Sequence, residues 1–267
     1  MAITRSDASL IQDVQHMLHQ QFHIKDLGQL KYFYGIEVAR SSIGLYLCQQ
    51  KYVLDILDDC GYTGAQPVDT PMEQNLKLSN DTGDLLADSS SYCRLVGRLI
   101  YLMVTRPDII HTVNILSQFM HQPQHHHLDA AHCLLRYLKT NPRQGLHYRS
   151  DSTLDLYVNC DSNWANCPMT RRSTIGYCVL LSSSLISWKT KKQHTISQSS
   201  AEAKYRAMAV ATCELIWLTY LLRDIGLPHR PLVPLYCDNQ AALHIAANLV
   251  FYERTKHIEI DCHLVRE

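Results

Sequence analysis

At 267 residues, with 46% hydrophobic and 19% charged side chains, the chain has the balance of a globular protein with room for about two domains of 100–150 residues. Lys+Arg and Asp+Glu both number 25, so the formal charge is zero and any nucleic-acid-binding surface must be local. No run reaches the ~18 apolar residues of a membrane span and the N-terminus lacks a signal pattern, while ten cysteines without a Cys-x-x-Cys pair read as reduced, buried thiols of an intracellular protein, cytoplasmic or nuclear.

Residues 6–22 have the spacing of an amphipathic helix, with Leu10, Ile11, Val14, Met17 and Leu18 on one face and Ser6 or Asp7 as cap. Strand-like segments follow at Lys31–Val38 and Gly44–Cys48, with Ser41-Ser42 as the turn of a hairpin. Lys51–Asp59 returns to helical spacing, and Gly61 suits its C-terminal cap. From Pro67 to Ser90 the apolar period fades into Asp, Ser, Asn, Thr and Gly, which predicts a linker or long surface loop. Helices are predicted at Tyr92–Val104, Pro107–Met120 and Leu128–Lys139. The histidine cluster His121, His125, His126, His127 and His132 invites a metal reading, but it flanks Pro123 and has no cysteine partner, so a functional metal is not expected there and the role of the cluster stays open.

Beyond Ser152 the text changes. Leu154, Leu156 and Val158 alternate with polar neighbours, the period of a half-buried strand, and the predicted strand ends at Asp161 in a Ser/Asn-rich turn. Further strands are predicted at Ser173–Leu181, Leu185–Thr190 and Leu232–Cys237, and helices at Ala201–Arg223, Asn239–Asn248 and Glu253–Arg266. Three strands, a helix, a strand and a helix predict an α/β fold, a mixed sheet with flanking helices. Asp161 and Asp238 both close strands, so adjacent strands would bring them to one edge. Two carboxylates there repel unless a cation sits between them, which points to a divalent metal.

Several blocks carry a resemblance. They are Lys25-Asp26-Leu27-Gly28-Gln29-Leu30-Lys31-Tyr32-Phe33 with Gly35-Ile36-Glu37, Gln50-Lys51-Tyr52, and Thr105-Arg106-Pro107-Asp108-Ile109. Leu135-Arg136-Tyr137-Leu138-Lys139, Arg171-Arg172-Ser173-Thr174-Ile175-Gly176-Tyr177, Ile186-Ser187-Trp188 and Lys191-Lys192-Gln193 continue the series. Cys237-Asp238-Asn239-Gln240-Ala241-Ala242 and Arg254-Thr255-Lys256-His257-Ile258-Glu259 close it. In this order they resemble the reverse transcriptase–ribonuclease H part of a copia-type LTR-retrotransposon Pol polyprotein, over nearly the whole length.

The resemblance implies a reverse transcriptase palm/thumb remnant in 1–65, a helical connection in 66–150 and a C-terminally truncated ribonuclease H-like domain in 151–267. It implies an ancestral Mg²⁺-dependent hydrolysis of RNA in RNA–DNA hybrids, with two ions held by four carboxylates. Asp161 matches the first acid and Asp238 the third, as catalytic and metal-binding residues. The second acid falls on Lys204, within Glu202-Ala203-Lys204-Tyr205, and an ammonium beside divalent cations carries the wrong sign. Glu202 is no substitute: Ser199-Ser200-Ala201-Glu202 reads as a capping box, and two residues along a helix turn the side chain by ~200°. Asn163 and Asn166 also depart from the family pattern after Asp161. The fourth acid belongs to elements expected beyond Glu267, with Glu259 and Asp261 the nearest acids and predicted on a solvated helix face. The polymerase aspartates would precede Met1, so reverse transcription is not expected of this polypeptide.

Three functions remain open at this stage: a damaged ribonuclease H, a non-catalytic hybrid-binding module, and a relic with no selected role. The binding reading rests on Arg171, Arg172, Lys189, Lys191 and Lys192 with Trp188 nearby, residues suited to phosphate and sugar contacts but equally to a solvated strand edge. Its partners would be an RNA–DNA hybrid or other nucleic acid, together with the rest of a retroelement polyprotein.

Overall fold

The computed structural model describes residues 3, 8–74, 76–80, 83–227, 232–247 and 259–266. It is a mixed α/β protein with two four-stranded sheets, the second of them packed against helices. Ser6 and Asp7, the expected cap of the first helix, lie outside the described residues. That helix, α1, spans Ala8–Gln21 and leaves Val14 and Met17 exposed.

The first sheet is antiparallel, in the order β1 (Tyr32–Phe33), β2 (Ile36–Ser41), β3 (Gly44–Cys48) and β4 (Leu146–Arg149). The run predicted as one strand from Lys31 to Val38 is broken at Tyr34-Gly35, where both residues take positive φ and turn the chain back on itself. β4 arrives from about a hundred residues downstream, and two glycines let it approach β3. A Cβ on Gly44 would collide with the Tyr148 carbonyl oxygen, and one on Gly145 with that of Leu47. The Tyr46 hydroxyl then donates to the Arg143 carbonyl at 2.6 Å.

Helix α2 (Gln50–Asp59) ends as predicted at Gly61, whose φ of +71° completes paired C-terminal bonds from Gly61 to Asp58 and from Tyr62 to Leu57. It shares one core with α3 (Ser89–Leu102), α4 (Ile110–Ser117) and α5 (His125–Thr140). Ile56, Leu99, Leu116, Leu134 and Leu138 are fully buried there, each worth roughly 1.5–3 kcal/mol relative to exposure. The Pro107 segment opens with a 3₁₀ turn, Pro107–Ile109, before α4. Buried Arg106 fixes that turn, chelating Asp108 through Nε and Nη2 and donating to the Asn141 carbonyl at 3.1 Å. The polar stretch after Pro67 is a surface loop strapped to the helices: Leu78 is buried in their core, Val68 bonds to Arg136 and Leu86 to Pro123.

The second sheet runs β7 (Ser184–Lys192), β6 (Thr174–Leu181), β5 (Leu156–Asn163), β8 (Leu235–Tyr236), with β8 parallel to β5 and the others antiparallel. β5 does not stop at Asp161. Ser162 pairs with Ile175 and Asn163 with Thr174, and the turn begins at Trp164-Ala165, where Ala165 takes positive φ. The long helix α6 (Ser200–Asp224) covers one face of this sheet, followed by α7 (Gln240–Ala247) and α8 (Glu259–Arg266). No helix among the described residues is long and apolar enough to cross a membrane.

Within the histidine cluster, His127 is held by packing and capping bonds. Gln124 and His127 form a capping box at the start of α5, in which the Gln124 N–H donates to His127 Nδ1 at 3.1 Å. With Nδ1 accepting, Nε2 carries the hydrogen and donates to the Ser79 carbonyl at 3.1 Å, while the ring stacks on Phe119. Burial, reinforced by His126, pushes the His127 pKa down to about 4. The folded chain therefore binds fewer protons than the unfolded one below pH 6.5. Stability should fall as pH drops from there toward 4, by up to about 1.4 kcal/mol per pH unit from this one ring. Urea denaturation of the wild type and of His127→Gln, whose amide can keep the cap, should show a flatter acid limb for the variant.

Candidate functional site: an acidic pair bridged by Lys204

The site is assembled by register. α6 presents a stripe at helical spacing, Met208, Ala211, Leu215, Leu218 and Leu222, that packs on β5 and β6. Lys204 is the next position of that stripe toward the helix N-terminus, so its side chain arrives at the strand ends where the apolar core runs out. β5 holds Asp161 opposite Gly176, and parallel pairing of Asn159 with Tyr236 leaves Asp238 two residues beyond β8. Asn239 then caps α7, its side chain accepting from the Ala242 N–H at 2.8 Å.

The Lys204 ammonium donates to Asp161 Oδ1 at 2.5 Å and also to Asp238 Oδ1. The lysine side chain is only 14% exposed, whereas the carboxylates are 62% and 74% exposed. Burial pulls the Lys204 pKa down, but the hydrogen bonds to both carboxylates more than offset this and the net shift is upward. The hydrogen bond from Lys204 holds the Asp238 carboxyl below its ordinary range. Two negative charges and one positive leave the triad at −1, with both carboxylates already engaged.

Glu202 is turned away from this triad. Ser199 Oγ accepts from the Glu202 N–H at 3.1 Å, and the Glu202 carboxylate accepts from the Gln198 N–H at 2.7 Å, one residue outside the reciprocal bond of a standard capping box. It also pairs with Arg206 at 2.9 Å. Asp261 is not on a solvated face. It is half-buried, and burial raises its pKa, with Arg206 opposing and Glu202 adding to the shift. α8 packs on α6 and carries Asp261 inward, which solvated-face reasoning from sequence missed. The Glu259 side chain lies outside the described residues. Among the described residues no group of three or more His, Cys, Asp and Glu side chains could hold a metal ion.

The predicted basic group is split by the strand period. Lys189 and Lys191 stand opposite Tyr177 and Ile175, on the α6 side, whereas Lys192 stands opposite Thr174 on the other face. Lys192 is half-buried, donating to Gln118 at 2.8 Å and to Cys167 Sγ at 3.6 Å. Trp188, on the Lys192 face, donates to the Met103 carbonyl. Arg171 is exposed in the turn, at positive φ, and Arg172 is half-buried. Edge strand β7 is therefore covered by α4 rather than solvated, with Asn114 donating to the Thr190 carbonyl at 2.8 Å. Between them runs a groove of about 190 Å³, lined by His111, Asn114, Ile115, Gln118, Thr174, Thr190, Lys191 and Lys192. A neighbouring recess of about 80 Å³ continues it past His111 and Thr190 to Asn163 and Asp161. Burial lowers the His111 pKa, so the imidazole in this groove is neutral at pH 7.

A two-sheet α/β chain with two acids bridged by a lysine beside a surface groove is the class that fold and site define. Comparison with known proteins assigns the family. The family described as reverse transcriptase (RNA-dependent DNA polymerase) matches residues 1–74. The chain is 43% identical over 265 residues, 99% of its length, to the retrovirus-related Pol polyprotein from transposon RE1 of Arabidopsis thaliana. It is 35% identical over 277 residues, covering 100% of this chain, to the corresponding polyprotein from transposon TNT 1-94 of Nicotiana tabacum. An uncharacterized mitochondrial protein of Arabidopsis thaliana is 40% identical over 215 residues, 80% of this chain and 89% of its own length. The chain belongs to the retrovirus-related Pol polyproteins of copia-type transposons. It spans 18% of the RE1 polyprotein and 21% of the TNT 1-94 polyprotein. No solved structure matches it.

The opposite shifts of Lys204 and Asp238 define a pH window. The lowered Asp238 pKa stabilises the fold above the ordinary 3.8, a contribution lost as pH falls through the folded value. The raised Lys204 pKa stabilises it below 10.5, a contribution lost as pH rises through the folded value. With both carboxylates largely exposed, Lys204→Met should cost no more than about 1 kcal/mol at neutral pH. That difference from wild type should close at both pH extremes in denaturation curves.

Proposed function

We propose that residues 151–267 form a ribonuclease H-like domain whose acidic pair, Asp161 and Asp238, has exchanged cation binding for an internal ion pair with Lys204. On this reading residues 1–65 derive from a reverse transcriptase palm and thumb, and 66–150 from its helical connection. The ancestral reaction is Mg²⁺-dependent hydrolysis of RNA in RNA–DNA hybrids, and hybrid binding is the property this chain retains. The reading is carried by one observation: the Lys204 ammonium donates to both carboxylates at once.

Mg²⁺ demands a near-octahedral set of oxygens at about 2.0–2.1 Å. Here the lone pairs that would face the ion already accept from an ammonium. A dication at ~4 Å from that ammonium would meet roughly 2 kcal/mol of repulsion in water and several times more in a less polar setting. The residues present do not fit Mg²⁺, and these three side chains offer no route to metal-assisted hydrolysis. Support for binding comes from exposed Arg171, Lys189 and Lys191, and from the groove that leads past Lys192 to Asp161. Each phosphate neutralised by such residues should release counterions and make affinity fall with salt. Other segments of a longer Pol polyprotein are the protein partners this reading implies.

With a labelled RNA–DNA hybrid and Mg²⁺, the chain should give no cleavage above background. Binding measured in Ca²⁺ should be detectable, weaken as salt rises, and fall several-fold in a Lys189→Glu, Lys191→Glu double variant. Robust cleavage that Asp161→Asn abolishes would overturn the loss of catalysis. Absence of any hybrid binding at low salt would overturn the binding function.

A further inference from the structure

The residue before each carboxylate is a cysteine: Cys160 precedes Asp161 and Cys237 precedes Asp238. The parallel register of β5 and β8 pairs Val158 with Leu235 and Asn159 with Tyr236, so the next step of the same register sets Cys160 against Cys237. Both side chains point to the α6 face, where Cys160 belongs to the apolar core and Cys237 packs against it. The Cys237 thiol is near enough to add to the burial that raises the Cys160 pKa, and the Cys160 thiol reaches the Tyr236 carbonyl at 3.6 Å. Neighbouring strands lie ~4.8 Å apart, inside the 4.4–6.8 Å Cα separation that a disulfide spans. Both sulfurs are free in this structure.

We infer that Cys160 and Cys237 form a covalent modification site, a dithiol that a two-electron oxidant of the peroxide class closes into an interstrand disulfide beside the acidic pair. Exposure sets the order of events, because Cys160 is 7% exposed and Cys237 is only partly covered. The Cys237 sulfur attacks one peroxide oxygen; the S–O bond forms, the O–O bond breaks, and the thiol proton leaves with the departing oxygen as water. The Cys160 sulfur then attacks Cys237; the S–S bond forms, the S–O bond breaks, and the hydroxyl leaves with the Cys160 proton as a second water. Two thiols and one peroxide give one disulfide and two waters.

The consequence lies one residue away. β8 pairs with β5 through only two residue pairs, so the spacing of Asp161 and Asp238 rests on a short ladder. A covalent bond at Cys160 and Cys237 would fix that spacing without touching either carboxylate.

The full chain, folded and treated with hydrogen peroxide, then alkylated and digested without reductant, tests the inference. The expected product is one cross-linked peptide pair, Cys160 with Cys237, lighter by two hydrogens and cleaved by a reductant. Cys160→Ala should leave Cys237 as a sulfenic acid trapped by a dimedone-type probe. Amide exchange at Leu235 and Tyr236 should slow in the oxidised wild type. Full alkylation of both thiols after oxidation would overturn the inference, as would pairing of either with Cys262 of the same core. The wild-type peptide map decides the question even if a variant fails to fold.

Discussion

Two carboxylates on neighbouring strands can face one another only when positive charge lies between them, and in this protein Lys204 supplies it. Both carboxylates are largely exposed, so at ~4 Å their mutual repulsion would be about 1 kcal/mol. A single ammonium donating to both carboxylates offsets that repulsion and holds the two acids together. The surrounding architecture serves this placement. The α6 stripe fixes the rotation of the helix, the β5–β8 register brings the two acids together, and the caps at Ser199 and Asn239 start α6 and α7 at the residues required.

The same geometry explains why neighbouring acids do not substitute. Glu202 sits two residues from Lys204 on α6, and its carboxylate is committed to the Gln198 N–H and to Arg206 on another face. Asp261 joins that second cluster from α8, where burial favours its neutral form. Among the described residues two separate acidic clusters therefore lie around one helix end, each paired with its own base. The helical half meets the second sheet along β7, where Asn114, Met103 and Gln118 satisfy backbone and side-chain groups of an otherwise open edge. That junction forms the groove leading to Asp161, so the site lies at the seam of the two halves.

Much of this was legible in the sequence. The alternation of Leu156 and Val158, the apolar spacing of α6 and the Gly61 cap each report a local rule that survives without tertiary information, whereas Leu154, read as part of the same strand, precedes β5 at positive φ. The partnership of Asp161, Asp238 and Lys204 was readable because resemblance to a family aligned three distant segments. Three features were not legible. β4 joins the first sheet across about a hundred residues, and only the packing of Gly44 and Gly145 shows why it fits. His127 acts as the N3 partner of a capping box, a position where Glu or Gln is the recognised signal. Lys192 parts from Lys189 and Lys191 because a strand reverses sides at every residue, so a basic run in sequence becomes two surfaces in space. The Cys-Asp pair occurs twice in the chain, but its meaning appears only once the parallel register sets the two copies side by side.

The central claim is that an ammonium occupies the place where a divalent cation would otherwise be held. Calorimetric titration of Mg²⁺ into the chain and into Lys204→Glu tests it most directly. The account predicts no saturable binding to the wild type at millimolar Mg²⁺, measurable binding to Lys204→Glu, and its loss when Asp161→Asn is added. Equal Mg²⁺ affinity in the wild type and Lys204→Glu, removed from both by Asp161→Asn, would contradict it.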